Sequence, residues 1–139
     1  MIVPNRGPLS FAHGPDGRLV AKRGAGGLVS SLAPLVEGTG AMWVAAAMND
    51  ADREAAAGGL IEAEGFRYRS LAIDPDTYRM AYDVVSNATL WFLSHRLFDL
   101  SRRPRIDRRW REAWEAYRNV NRSFANAVIA VSYTHLRAH

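Results

Sequence analysis

Short apolar runs alternate along this chain with amphipathic stretches, and the alternation predicts a layered α/β fold. Ile2-Val3 reads as the end of a short buried strand. Strands usually run about five or six residues, so its beginning is expected upstream of Met1. Leu9-Ser-Phe-Ala and Arg18-Leu-Val-Ala flank the turn signal Gly14-Pro-Asp-Gly17 and predict a small hairpin. After Gly24-Ala-Gly26-Gly27, the residues Leu28, Leu32, Leu35 and Val36 form a helical stripe that stops at Gly38. Ala41-Met-Trp-Val-Ala-Ala-Ala47 is continuously apolar and of strand length, as in a parallel sheet covered on both faces. Asn49 and Asp50 are capping residues for a short helix to about Ala57, and Phe66 to Ile73 is a second strand candidate. Asp74-Pro75 opens a helix, with proline in its first turn, that leads into an aromatic stretch. Asp107 caps a long helix to about Ala130 whose stripe is Trp110, Trp114, Tyr117, Asn121, Phe124 and Val128.

Strands alternating with helices imply right-handed crossovers in an α/β layer structure. About three sheet strands are too few for a complete doubly wound domain. The expectation is therefore a partial Rossmann-like parallel sheet flanked by helices, with residues 1–131 as one incomplete domain.

Composition narrows the function classes. A length of 139 residues is one domain's worth of chain, and 48% hydrophobic with 23% charged residues is typical of a soluble globular protein. No run approaches the roughly 18 apolar residues that span a bilayer, and Met1-Ile-Val-Pro-Asn-Arg6 has no signal-peptide pattern, so no membrane partner is expected. The absence of cysteine excludes disulfides and thiolate metal sites and fits a cytoplasmic protein. The net charge of +4 comes almost wholly from arginine, Lys22 being the only lysine. Six arginines between Arg102 and Arg111 raise nucleic acid as a partner. They straddle a proline and open a helix whose charges belong on a solvated face, so no nucleic acid is expected. The four histidines lack metal-ligand spacing, and neither metal nor cofactor is expected.

The chemistry that remains is carried by three features. In Tyr82-Asp-Val-Val-Ser86-Asn87-Ala-Thr-Leu-Trp91-Phe-Leu-Ser-His95, two aromatics flank a Ser-Asn pair that reads as a break between two helices. Such rings can line a pocket for a sugar, or they can be ordinary core aromatics near a cap. His95 is either a donor to a sugar hydroxyl or general acid, or a core histidine. Gly24-Ala-Gly26-Gly27-Leu28 can present backbone N–H groups to an anion, though it lacks the dinucleotide and Walker spacings. Arg6 follows the first strand, at the end where open α/β sheets bind ligands, and a guanidinium suits phosphate bidentately; a surface turn arginine is the alternative.

Taken in order, these pieces resemble the trehalose-6-phosphate synthase family of retaining two-domain glycosyltransferases. Pro4-Asn5-Arg6 matches its Ser-Asn-Arg strand end, and Gly26-Gly27-Leu28 its Gly-Gly-Leu turn. Tyr82, Val85, Ser86, Asn87, Leu90 and Trp91 match Tyr-x-x-Phe-Ser-Asn-x-x-Leu-Trp, with Val85 in place of phenylalanine, and His95 matches the histidine that follows. Trp114, Tyr117, Val120 and Asn121 match Trp-x-x-Tyr-x-x-Val-Asn. The resemblance covers about Ile2 to Val128. It implies the N-terminal part of a two-domain fold that moves glucose from a nucleotide-sugar, UDP-glucose or GDP-glucose, to glucose 6-phosphate. By the same resemblance Arg6, Tyr82 and Trp91 bind the sugar-phosphate acceptor, Gly26 and Gly27 let the backbone approach the donor, and no metal takes part. A homo-oligomeric parent is left open.

Three departures qualify that picture. Where the family reads Trp-x-Gly-Trp, this chain has Trp43-Val-Ala45-Ala46. Loss of the second tryptophan points to a divergent paralogue with another acceptor, such as a glucosylglycerol-phosphate synthase or a pseudo-glycosyltransferase. A stand-alone sugar-phosphate binding module is the non-enzymatic alternative. Residues 132–139 read as a non-native tail of translated adapter sequence in place of the family's His-Asp-Tyr-His-Leu continuation. The second domain, which grips the nucleotide, is missing, so this polypeptide is expected to be inactive by itself.

Overall fold

The computed structural model describes residues 1–97 and 105–136. They form two compact units: Met1–Ala72 with the C-terminal residues from Asn126, and Ile73–Ala125. Arg102 and Arg103 of the arginine cluster lie outside the described residues.

The first unit opens with the expected hairpin. Strands β1 (Leu9–His13) and β2 (Leu19–Arg23) pair antiparallel, with Ser10 opposite Lys22 and Ala12 opposite Val20. The Gly14 N–H donates to the Arg18 carbonyl at 2.8 Å, and Gly17 takes the left-handed φ of 76° that the turn demands. Helix α1 (Gly27–Val36), strand β3 (Met42–Ala46), helix α2 (Asp50–Ala57) and strands β4 (Leu60–Ala63) and β5 (Phe66–Leu71) follow. The sheet has the order β3-β5-β4, with β3 parallel and β4 antiparallel to β5. On the other side of β3, bridges Ile2–Trp43 and Arg6–Ala46 place the N-terminal segment parallel to it. Pro4 has no N–H to give, which interrupts that ladder.

The architecture is thus α/β as expected, but its sheet is mixed. β4 was not anticipated because its hairpin turns on Glu64-Gly65 rather than on Asn-Gly. Both residues adopt positive φ, 51° and 77°, the requirement of a tight hairpin turn.

The core of this unit gathers Leu9, Val29, Ala33, Val36, Trp43, Ala45, Phe66 and Tyr68. Trp43 meets Phe66 edge-on, with centroids 6.2 Å apart. Helix α1 buries Val29, Ala33 and Val36; of the expected stripe, Val36 is buried and Leu32 packs half-buried against the core, whereas Leu28 and Leu35 are 58% and 73% exposed. Two bulky rings already fill the sheet face, so the helix approaches through its small residues.

In the second unit, Asp74 caps α3 (Pro75–Arg79) by accepting from the Thr77 N–H at 2.8 Å. The chain continues without a break into a π-helical segment (Met80–Trp91) and the short α4 (Phe92–Ser94). The expected break at Ser86-Asn87 is absent because the widened winding absorbs it. The Thr89 hydroxyl donates to the carbonyl of Val84, five residues back, at 2.8 Å. It also accepts from the Trp110 indole N–H at 3.1 Å. Asp107 caps the long helix α5 (Arg108–Leu136) through the Trp110 N–H at 2.9 Å. The helix outruns its expected end, and its buried line is Ala113, Ala116, Val120, Ala127 and Val131. The anticipated stripe lies to one side: Trp110, Trp114, Tyr117, Phe124 and Val128 are half-buried and Asn121 is exposed. Small residues are again the buried ones, while Trp110, Trp114 and Tyr117 stack on one another at 5.5 and 5.4 Å. Among the described residues no helix is long and apolar enough to cross a membrane.

Candidate functional site

A cleft of about 290 Å³ lies in the first unit beside the carboxyl end of β3, where open α/β sheets place ligands. Arg6, Ser10, Lys22, Gly24, Ala46 and Asp52 contribute to its lining. The backbone of Arg6 is fixed on both sides: it bridges to Ala46, and its carbonyl accepts from the Trp43 indole N–H at 3.0 Å. Its side chain is exposed, and among the described residues no carboxylate pairs with it.

Close backbone packing builds the cleft's floor. A Cβ on Gly7 would lie 2.5 Å from the Tyr68 hydroxyl, and one on Gly24 would lie 2.5 Å from the Gly7 carbonyl oxygen. The Gly24 N–H donates to the Pro8 carbonyl at 2.7 Å, so the segment after Arg6 and the turn after β2 are locked together. Tyr68 donates to the Ser70 hydroxyl at 3.1 Å. Burial pushes its phenol up to about 12, against the lowering effect of the Ser70 bond and with a small addition from the Asp52 charge. It therefore stays a neutral hydroxyl and is no base at neutral pH.

Asp52 is 3% exposed and acts as a clasp. One carboxylate oxygen accepts from the Phe11 N–H at 2.6 Å and the Ser10 hydroxyl at 3.2 Å; the other accepts from the Met48 N–H at 3.0 Å. It ties the hairpin to the end of β3. Residue types alone did not single it out, although Asn49-x-x-Asp52 is the spacing of a helix N-terminus, and the Asp52 N–H does donate to the Asn49 side chain at 2.8 Å.

The glycine turn continues from the cleft into α1. Gly26 is the cap residue, with φ 126° and no side-chain cap. Added Cβ atoms at Gly26 or Gly27 would meet nothing within 4 Å. Gly26 is needed for its backbone conformation; Gly27 has neither positive φ nor crowding to explain it. The outcome is a helix N-terminus whose backbone N–H groups are open to an approaching anion.

Tyr82, Trp91 and His95 belong to the second unit. Tyr82 is half-buried and stacks on Tyr78 at 5.7 Å. Trp91 is 46% exposed, stacks on His95 at 4.1 Å and meets Phe92 edge-on at 5.1 Å. His95 is exposed, so the core-histidine reading falls. Its Nδ1 lies 2.7 Å from the Trp91 carbonyl oxygen and donates to it, which leaves Nε2 as the outward acceptor of the neutral ring. The winding matters here. At 3.6 residues per turn, a nine-residue spacing puts two side chains on opposite faces, whereas at about 4.4 residues per turn of a π-helix it brings them onto one face. The π-helical segment thereby aligns Tyr82 with Trp91. Among the described residues no cluster of acidic or imidazole side chains could hold a metal ion.

Comparison with known proteins decides the family. The family model described as glycosyltransferase family 20 matches residues 1–135. The chain belongs to glycosyltransferase family 20. Trehalose-6-phosphate synthase of Mycobacterium sp. (strain JLS) is 36% identical over 128 residues, which are 91% of this chain and 24% of that protein. The synthase of Mycolicibacterium smegmatis is likewise 36% identical over 128 residues, 91% of this chain and 23% of that protein. That of Mycolicibacterium gilvum is 36% identical over 129 residues, with 91% and 24% covered. This family-20 chain thus spans about a quarter of the length of the curated relatives it matches. Its α/β architecture is that of part of a two-domain, GT-B type transferase.

Proposed function

We propose that the protein transfers glucose from UDP-glucose or GDP-glucose to a sugar phosphate, with glucose 6-phosphate as the reference acceptor and with retention of anomeric configuration. The observation that carries this reading is the cleft at the carboxyl end of β3. It holds an arginine with a fixed backbone and a free guanidinium, next to a bare glycine-lined helix N-terminus, in a family-20 chain.

Each residue then has a role suited to its chemistry. Arg6 binds the acceptor's phosphate through its planar fork of donors. Tyr82 and Trp91 carry ring faces of the kind that pack against a sugar, as the family resemblance assigns them. Gly26 and Gly27 admit the donor's sugar and phosphates to the backbone N–H groups of α1, where the helix dipole favours negative charge. In the transfer, the bond from the anomeric carbon to the donor's diphosphate oxygen breaks. The acceptor hydroxyl takes its place and releases its proton. The negative charge that develops on the diphosphate must be offset by cationic groups. Residues 1–139 supply the acceptor side, and no transfer is expected from them alone.

A second reading is favoured by Ala46, which lines the cleft with a methyl group only. A cleft not narrowed at that position suits a different acceptor, such as glycerol 3-phosphate or a cyclitol phosphate. Steady-state kinetics of Arg6→Ala in the full-length protein test both readings. The KM for whichever phosphorylated acceptor is used should rise at least tenfold, as expected for loss of a charge-assisted bidentate contact, while the KM for the nucleotide-sugar holds. Unchanged kinetics with glucose 6-phosphate, glycerol 3-phosphate and cyclitol phosphates would remove Arg6 from the acceptor site.

A further inference from the structure

The cleft that contains Arg6 carries a second uncommitted cation. Lys22 lies on β2 directly opposite Ser10 of β1, and directly opposed residues of an antiparallel pair project from the same face. The Ser10 hydroxyl on that face turns inward to donate to Asp52 and accepts from the Asn49 amide at 3.3 Å. Lys22 lines the cleft on the same side.

The charges around it are already spoken for. Arg23, the next residue, is held by Glu37 in a two-pronged pair, with Nη1–Oε2 at 2.9 Å and Nη2–Oε1 at 2.6 Å. That pairing raises the arginine's pKa and lowers the glutamate's, chiefly through the hydrogen bonds between them. Asp52, the carboxylate in the cleft wall, has both oxygens occupied by Ser10, Phe11 and Met48. Among the described residues no carboxylate pairs with Lys22 or Arg6. Two cations without a carboxylate partner among the described residues therefore line one small cleft, beside an arginine paired with Glu37 and an aspartate whose oxygens are turned to Ser10, Phe11 and Met48.

We infer that Lys22 is a second ligand of the acceptor's anionic group, so that the cleft selects a doubly charged phosphate monoester over singly charged or neutral acceptors. The inference rests on the reading that Arg6 binds the acceptor phosphate. The division of labour follows from the two side chains. Arginine supplies a rigid fork that sets the orientation, and lysine supplies a compact charge on a flexible stem. A phosphate monoester has its second pKa at about 6 and carries close to two charges at neutral pH, matching two cations.

The test is steady-state kinetics of Lys22→Ala, Lys22→Arg and Arg6→Ala in the full-length protein, with inorganic phosphate as a competing probe. Lys22→Ala should raise both the KM for glucose 6-phosphate and the inhibition constant of inorganic phosphate about tenfold, leave the nucleotide-sugar KM within about twofold, and be rescued by Lys22→Arg. If Arg6→Ala impairs the phosphorylated acceptor while Lys22→Ala changes nothing, the role of Lys22 is overturned and the acceptor reading stands. If neither substitution changes either constant, the acceptor reading fails and takes Lys22 with it. A rise confined to the nucleotide-sugar KM would place Lys22 on the donor side and overturn the inference.

Discussion

Replacing Asp52 by asparagine changes one atom of a buried side chain and should loosen the whole cleft wall. The carboxylate accepts on both oxygens, from Ser10 and Phe11 on one side and from Met48 on the other. An amide accepts on one side only. With its oxygen toward Phe11, its NH₂ faces the Met48 N–H, so a bond to a charged acceptor is lost and a backbone donor is stranded. A hydrogen bond to a charged group contributes about 1.5–3 kcal/mol, and a stranded buried donor costs about 1–3 kcal/mol. These effects overlap, because both describe the loss at Met48, and together they give about 2–3 kcal/mol. At about 1.4 kcal/mol per factor of ten, local opening of the β1–α2 junction should become roughly 30- to 150-fold more populated. Native-state hydrogen exchange at the Phe11 and Met48 amides reads this directly, without requiring the two units to unfold together. Loss of protection at Met48 by that factor, with a smaller loss at Phe11, is the expected pattern. Exchange at both amides within threefold of the parent would mean that Asp52 does not clasp the hairpin.

Other consequences follow from the same contacts. Gly24→Ala should cost at least about 2 kcal/mol in urea unfolding, since its Cβ would sit 2.5 Å from the Gly7 backbone oxygen and a main chain cannot step aside cheaply. Gly27→Ala meets open space in the first turn of α1 and should leave stability unchanged or raise it by up to about 1 kcal/mol, while the KM for the nucleotide-sugar increases; an unaltered donor KM would remove Gly27 from the donor site. Tyr68 makes stability fall at high pH. The unfolded phenol loses its proton near its ordinary value of 10 whereas the folded one keeps it to about 12, so a contribution of about 2–3 kcal/mol is intact below pH 10 and lost by pH 12. Urea midpoints of Tyr68→Phe should lack that part of the decline. Trp110→Phe removes the indole donor to Thr89 together with part of the ring that stacks on Trp114 and should cost about 1–2 kcal/mol, whereas Trp110→Ala should cost about 3 kcal/mol; equal losses would show that the remaining six-membered ring contributes little.

What the sequence disclosed depended on how local the signal was. The hairpin at Gly14–Gly17 and the caps Asn49, Asp74 and Asp107 are written in residues that hydrogen-bond within a few positions of themselves, and all stand where expected. The buried faces of α1 and α5 were only partly legible, for one common reason. Both helices are apolar on more than one row; in α1 the sheet's bulky Trp43 and Phe66 select the row of valine and alanine, and in α5 a row of alanine and valine is likewise the buried one. The π winding was illegible because no short motif marks it; within it, Thr89 meets Trp110, a residue 21 positions away in sequence. For the site, Arg6 and the glycine turn were visible from their positions after a strand and before a helix. Lys22, Asp52 and Tyr68 were not, because cross-strand register and burial bring them to the cleft, which no short motif records.

Proton NMR of the full-length protein turning over a nucleotide-glucose in the presence of glucose 6-phosphate, glycerol 3-phosphate or a cyclitol phosphate tests the proposed activity most directly. A phosphorylated glucoside is expected from at least one of these acceptors, with the anomeric proton in the same configuration as in the donor, and no product from the corresponding unphosphorylated acceptors. Transfer to unphosphorylated acceptors with equal efficiency, an inverted anomeric signal, or donor left unconsumed with every phosphate would contradict it.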